Sequence, residues 1–235
     1  MDFRFPLLKR PSSSIRPSCT AFGLLVRREH WSLSWRGRCL VLLLVVGGIF
    51  TAHWVAYPFL AVNQPLHGEV LIVEGWIPVY TLHQVAAEAT NGCYRRVLIA
   101  RALYEGEPGV EHGRLSAEYA VTVLTRCGVP ESAIETVLFS GAQQDRTYHS
   151  ALAVKQRLAE TDSMGKSIDV ITLGPHARRS RLLYQKAFGN ATRVGVIALP
   201  DSAYDARHWW RASEGVREVV GESLAYLYAR LSTWN

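Results

Sequence analysis

The sequence predicts an α/β fold: a three-layer α/β/α domain on a mostly parallel sheet of about five strands, preceded by one N-terminal transmembrane helix. Two patterns and one segment carry that expectation. Five short runs rich in β-branched and apolar residues recur along residues 63–235, at Glu69–Val73, Arg96–Ala100, Glu135–Phe139, Ile168–Leu173 and Arg193–Leu199. Stretches with helical spacing alternate with them. Upstream, residues 39–62 carry no charged side chain apart from the titratable His53.

The strand runs are apolar nearly throughout, as strands covered on both faces are. Strand–helix alternation at this pitch gives a Rossmann-like sheet with helices on both sides. The helical stretches read as amphipathic. Leu115, Tyr119, Ala120, Val123, Leu124 and Cys127 form one face, and Tyr148, Ala151, Leu152, Leu158 and Ala159 another. Val216, Val220, Leu224, Leu227 and Leu231 form a third near the C-terminus. No internal repeat is evident, and low complexity is confined to Ser12–Ser14. With 49% hydrophobic and 20% charged residues the chain is globular in composition.

About 20 helical residues cross a bilayer core, so the apolar segment 39–62 is long enough to be an anchor. Arg27, Arg28, Arg36 and Arg38 precede it, and no Lys or Arg follows until Arg95. The positive-inside rule then puts residues 1–38 in the cytoplasm as a basic tail and the domain from residue 66 outside. A single-pass membrane protein with its C-terminal domain outside the cytoplasm is therefore expected. A cleaved signal peptide is the rival reading, but its basic region would be unusually long and no small-x-small site ends the apolar run. Trp54, Tyr57 and Phe59 suit the outer interface, as does His53.

The net charge of +6 belongs to that tail, which holds eight Lys/Arg against two acids, while residues 39–235 balance. A neutral main domain argues against nucleic acid as a partner. The four cysteines show no CxxC or Cys/His spacing, so no metal site is expected. Cys93 precedes the second strand, and Cys127 ends the helix after it. The topology places both at the sheet edge away from the strand ends discussed next. A disulfide there would close a loop of about 35 residues. Two separately buried thiols are the alternative, since a shared edge does not guarantee bridging distance.

Candidate site residues follow the strands. Glu74-Gly75-Trp76 follows the first strand and Arg101 the second. Ser140-Gly141 and Asp145-Arg146-Thr147 follow the third, Gly174-Pro175-His176 the fourth, and Pro200-Asp201 the fifth. In an open parallel sheet these positions share the carboxyl edge, where ligands bind. Glu74 and His176 are the candidate catalytic groups, a proton-transferring carboxyl and its partner or phosphate ligand. Gly75, Arg101, Thr147, Arg178 and Arg179 are the candidate ligand-binding residues. A helix start with guanidinium groups suits an anion. Of the crowded Arg178, Arg179 and Arg181, only one or two can face inward, and such arginines otherwise form a solvated helix face. Glu74 otherwise pairs with a neighbour such as Arg101, and Thr147 otherwise caps a helix. Trp209 and Trp210 read as packing, and His112 and His149 have no partner legible in the sequence. Nucleotide or cofactor binding in the Rossmann manner is a third reading with little support, since no G-x-G-x-x-G follows the first strand. No serine nucleophile of the G-x-S-x-G type is present, and the cofactor is left open.

These elements in order, "VLIVEGW", "RVLIA", Glu118 leading to "CGVPESAI", "DRTYHSAL", and a strand followed by His176-x-x-Arg179, resemble the SanA/ElyC/YdcF-type bacterial envelope proteins. The resemblance covers roughly Glu69 to Leu231. It implies a three-layer α/β fold behind one membrane helix, and a role in envelope integrity, peptidoglycan or surface-polysaccharide metabolism. The chain departs from the family at three places. Glu74-Gly75-Trp76 replaces a glycine-rich turn, Arg146-Thr147 replaces Asn-Thr, and His149-Ser150 replaces Glu-Asn. Two functions are then expected. One is binding or processing of an anionic sugar-phosphate or lipid-linked envelope precursor. The other is a non-catalytic adaptor that regulates an envelope synthase complex.

Overall fold

The run VLIVE at Val70–Glu74 combines β-branched and apolar residues without glycine or proline, and it becomes the central strand of the main sheet, all five residues buried. The computed structural model describes residues 19–20, 25–27, 31–103, 117–140, 144–161 and 165–233. Ser12–Ser14, His112, Leu115 and Gly141 lie outside the described residues, as does most of the basic tail.

The chain divides into two units, Met1–Ala52 and His53–Asn235. In the first, β1 (Cys19–Thr20), β2 (Leu25–Arg27) and β3 (Trp31–Leu33) pair antiparallel, within what the sequence presents only as a basic tail. Helix α1 (Trp35–Leu60) follows and continues into the second unit. Its residues Leu40–Val46, Ile49 and Phe50 are all exposed, so this part is apolar all round rather than amphipathic. Among the described residues no single helix is long and apolar enough to cross a membrane. Trp35–Thr51 and His53–Leu60 meet the requirement of length and composition only as a broken pair.

The second unit alternates β4 (Val70–Glu74), α2 (Leu82–Asn91), β5 (Arg96–Leu103), α3 (Ala117–Arg126), β6 (Ile134–Ser140), α4 (Arg146–Glu160), β7 (Ser167–Leu173), α5 (His176–Phe188), β8 (Arg193–Leu199) and α6 (Ser213–Leu231). The strands lie in the order β6-β5-β4-β7-β8, every pair parallel. Successive strands step outward from β4 on one side and then restart on the other, so the direction of winding reverses between β4 and β7. That gap is the topological switch point of a doubly wound sheet.

Alternate residues of each strand face opposite layers. Leu71, Val73, Val97, Ile99, Ile171 and Leu173 pack with α2 and α3. Val70, Ile72, Leu98, Ala100, Ile168 and Val170 pack with α4 and α5. Each such aliphatic side chain contributes about 1.5–3 kcal/mol by leaving water, so both faces hold the strand ends rigidly.

The segment between α1 and β4 is strapped to the sheet. Gln64 exchanges backbone hydrogen bonds with Val196 on the edge strand β8. The buried Asp169 accepts from the Leu66 and Gly68 amides and from the Tyr94 hydroxyl.

One expectation is corrected, and the open question of the Cys93–Cys127 pair is decided. The apolar stripe of α6 does not face the core: Val216, Val220, Leu224, Leu227 and Leu231 are 40%, 48%, 65%, 53% and 75% exposed. The helix packs instead through Gly215, Val219, Glu222 and Ala229, because a side chain at Gly215 would meet the Trp209 carbonyl oxygen at 2.3 Å. Cys93 and Cys127 are not joined; both thiols are free. Cys127 Sγ lies 3.3 Å from His83 Nδ1 in the first turn of α2, whereas Cys93 follows the last turn of that helix. One length of a ten-residue helix, about 15 Å, separates those positions, well beyond bridging distance. Trp209 and Trp210 do serve packing. Trp209 Nε1 donates to the His53 carbonyl, and Trp210 lies against the His53 ring with centroids 3.6 Å apart.

Candidate functional site

A strand buried on both faces and ending in a carboxylate must find donors for it. Glu74, the last residue of β4, is buried and finds three. Trp76 Nε1 donates to Oε2 at 3.1 Å, the Thr172 hydroxyl of β7 donates to the same oxygen, and Ser180 of α5 donates at 3.0 Å to Oε1. One carboxyl group thereby ties β4, β7 and α5 together at the switch point. Burial pushes its pKa up, and these hydrogen bonds and the charge of Arg179 offset that only in part. Glu74 therefore holds a proton to higher pH than an ordinary carboxyl group. Its partner is not Arg101.

Trp76, fixed by Glu74, lies against the His176 ring with centroids 4.4 Å apart. On the far side of the histidine, Arg179 makes a two-pronged pair with Glu222 of α6, Nε to Oε2 at 2.6 Å and Nη2 to Oε1 at 3.0 Å. The same Nη2 is 2.9 Å from His176 Nδ1, while Glu222 Oε1 is 3.2 Å from that nitrogen. One guanidinium nitrogen with two protons donates to both acceptors. This assigns the ring proton to Nε2 and leaves Nδ1 as acceptor. Burial, reinforced by the charges of Arg179 and Arg146, pulls the His176 pKa down to about 4 against the opposing pull of Glu222. His176 is thus a neutral ring that offers an N–H, not an imidazolium.

These groups border a cavity of about 570 Å³. Its walls include Glu74, Gly75 and Trp76 after β4, Ala100, Arg101 and Ala102 of β5, and Phe139 of β6. The first turn of α4 contributes Asp145, Arg146, Thr147 and Ser150, and α5 contributes His176, Arg179 and Leu183 along one face. Ala225, Tyr228 and Ala229 of α6 complete it. Thr147 is buried and sits 3.4 Å from Arg179 Nη1; it is not the helix cap, a position held by Asp145. Arg179 is engaged by Glu222. Arg101 and Arg146 are the lining cations with no carboxylate partner among the described residues. No protein-family model matches the chain, and no curated protein matches it significantly.

The structure thus brings Glu74, Gly75, Arg101, Thr147, His176 and Arg179 to one cavity. It does not bring Arg178, whose guanidinium stacks on the Phe59 ring at 3.9 Å and donates to the Phe59 carbonyl. Arg181 likewise turns away, to the Val194 carbonyl at 3.0 Å and to the Gln64 side chain. Two of the three crowded arginines therefore fasten the segment at residues 59–64 to the domain. Both α4 and α5 meet the cavity by their N-terminal turns, α4 through Arg146 and Thr147 and α5 through His176 and Arg179.

Ser150, Thr172, Ser180 and Glu222 were not among the expected site residues, and Trp76 and Arg146 stood at the strand ends without an assigned role. Glu222 left a signal: it interrupts the spacing Gly215, Val219, Tyr226, Ala229, a second stripe of α6 that is small or apolar elsewhere. Thr172 and Ser180 left none, because a single hydroxyl in a strand or helix has no directional meaning in sequence.

Gly75 belongs to the cavity through its backbone. A Cβ there would lie 2.5 Å from the Ala100 carbonyl oxygen, which already accepts from the Gly75 amide at 2.8 Å. Gly75→Ala is expected to push β4 from β5 and to destabilise the protein by about 1–3 kcal/mol. Denaturant unfolding of the variant measures this, and an unchanged midpoint would contradict it.

Proposed function

We propose that this is a membrane-anchored envelope-biogenesis protein of the SanA/ElyC/YdcF type, whose α/β domain binds or processes an anionic sugar-phosphate or lipid-linked cell-envelope intermediate. The observation that carries the reading is the cavity at the switch point, where Arg101 and Arg146 have no carboxylate partner among the described residues and His176 is a neutral donor. Planar guanidinium groups bind phosphate oxygens in pairs, and the N-terminal turn of α4 favours the same charge. Trp76, Phe139 and Tyr228 supply apolar and aromatic wall, which suits a sugar ring or a hydrocarbon chain. Where the ligand is processed and not only bound, Glu74 is the proton-holding group and His176 Nε2 the hydrogen-bond donor to developing negative charge.

The anchor in this reading is the apolar stretch of residues 39–62, with the N-terminus in the cytoplasm. Its support is the charge asymmetry of its flanks. An adaptor that only regulates a synthase needs no convergence of Glu74, Arg101 and His176, so their common cavity favours the ligand-binding reading.

The test is binding of a long-chain lipid phosphate to the full chain in detergent, against the dephosphorylated lipid alcohol as control. Arg101→Ala and Arg146→Ala are each expected to weaken phosphate binding about ten- to a hundredfold, the value of one hydrogen bond to a charged group. Equal affinity for phosphate and alcohol, or unaltered affinity in both variants, would remove the proposal.

A further inference from the structure

We propose that the exposed stripe of α6 is a lipid-contact surface, which sets the mouth of the cavity against the headgroups of a bilayer. The inference rests on the anchored, lipid-phosphate reading above and adds where such a ligand enters.

Val216, Val220, Leu224, Leu227 and Leu231 recur at intervals of three and four, and all are exposed. They extend about 22 Å along one side of the helix. A soluble surface does not leave a continuous aliphatic strip of this length uncovered without an interaction to serve.

What covers it is indicated by three neighbouring features. First, the segment that brings the apolar run of residues 39–52 into the domain packs on this helix. Phe59 meets Tyr226, on the inward stripe of α6, edge to face with centroids 5.6 Å apart, so the chain enters the domain beside this helix. Second, the same place carries Trp54, 58% exposed and 5.7 Å from Trp210, and tryptophan concentrates at the membrane interface. Third, exposed Arg217 and Arg230 stand near the two ends of the stripe, where anionic headgroups would meet them.

The stripe is also continuous with the site. Tyr228, one residue beyond Leu227, is 58% exposed and lines the cavity together with Ala225. A lipid whose phosphate reaches Arg101 and Arg146 can therefore keep its hydrocarbon chain along Tyr228 and the α6 leucines without crossing water.

The experiment uses the full chain with Cys19, Cys39, Cys93 and Cys127 replaced by serine. Single cysteines at Leu224, Leu227, Leu43 or Glu131 carry an environment-sensitive fluorophore. The proteins are reconstituted in phosphatidylethanolamine–phosphatidylglycerol vesicles, with and without lipids spin-labelled at shallow depth, about 5–10 Å below the headgroups. Leu224 and Leu227 are exposed, so the labels leave the core intact. The expected result is loss of fluorescence at Leu224→Cys and Leu227→Cys and none at Glu131→Cys. Quenching at Leu43→Cys without quenching on α6 would overturn the lipid contact while leaving the anchor standing. An unquenched Leu43→Cys would overturn the anchor and the inference with it. Disulfide-linked dimers of the unlabelled Leu224→Cys protein under mild oxidation, together with no quenching in the labelled one, would assign the stripe to a second copy of the chain and overturn the proposal.

Discussion

Replacing Glu222 by leucine is expected to destabilise the protein by about 3–5 kcal/mol, the largest effect of any single substitution at the site. Glu222 and Arg179 are both largely withdrawn from solvent, with side-chain exposures of 9% and 17%. Two charges so placed have given up hydration, and each depends on the other to replace it. Removing one partner leaves an uncompensated buried charge, which costs about 3–5 kcal/mol in comparable pairs. Arg179→Met should cost a similar amount, because the Glu222 carboxylate then loses both prongs. The double variant Glu222→Leu with Arg179→Met should recover most of the loss, since apolar groups of similar volume replace buried pairs at little net cost. Denaturant unfolding followed by tryptophan fluorescence, on the full chain in detergent, measures all three. Single variants within 1 kcal/mol of the parent would show that water reaches the pair and that it does not organise the site.

The second large effect is a dependence on pH carried by His176. Its pKa falls from the ordinary 6.5 to about 4 in the folded protein. Between those values the unfolded chain binds the proton and the folded one does not. Stability therefore rises with pH across this window and is lost on acidification. At about 1.4 kcal/mol for each tenfold change in protonation, the loss from pH 7 to pH 4 reaches about 3 kcal/mol. Glu74 acts in the opposite sense, because its raised pKa lets the folded state hold a proton that the unfolded state releases. The two groups share Trp76 and the charge of Arg179, so the histidine contribution is isolated by comparison with His176→Gln. The parent should lose up to about 3 kcal/mol more than the variant between pH 7 and pH 4. Parallel stability curves for the two proteins would show that the ring titrates normally. The same comparison bears on the site, since Gln keeps a side-chain donor but not the ring that packs on Trp76.

Most of the architecture is legible in the sequence because its signals are local. Five apolar runs bounded by turn residues appear as five strands, and Arg193–Leu199 spans the predicted residues. Burial on both faces leaves no alternation to misread. That Glu74, Arg101 and His176 share an edge also follows from chain order, since parallel strands all end on the same side. The α6 stripe shows the limit of such reading. Period 3.6 identifies one apolar side of a helix but not what that side meets, and the core accepted the other side because Gly215 fits against Trp209.

The arginines show the same division more finely. Three guanidinium groups at 178, 179 and 181 are equivalent as residue types, and a helical turn of 100° per residue sends them in different directions. One direction leads to Glu222, the others to Phe59 and to Gln64. Partners 43 to 119 positions away in the chain leave no mark on the local pattern.

By itself, then, the sequence determined the strand–helix alternation and the common edge of the strand ends, because periodicity and chain direction are properties of neighbouring residues. Only the tertiary structure decided which arginine serves the cavity, which side of α6 is buried, which nitrogen of His176 carries the proton and why Cys93 and Cys127 stay apart. The physical reason is the same in each case. Burial, electrostatic pairing and hydrogen bonding depend on distances between segments far apart in the chain, and those distances exist only once the sheet has brought the segments together.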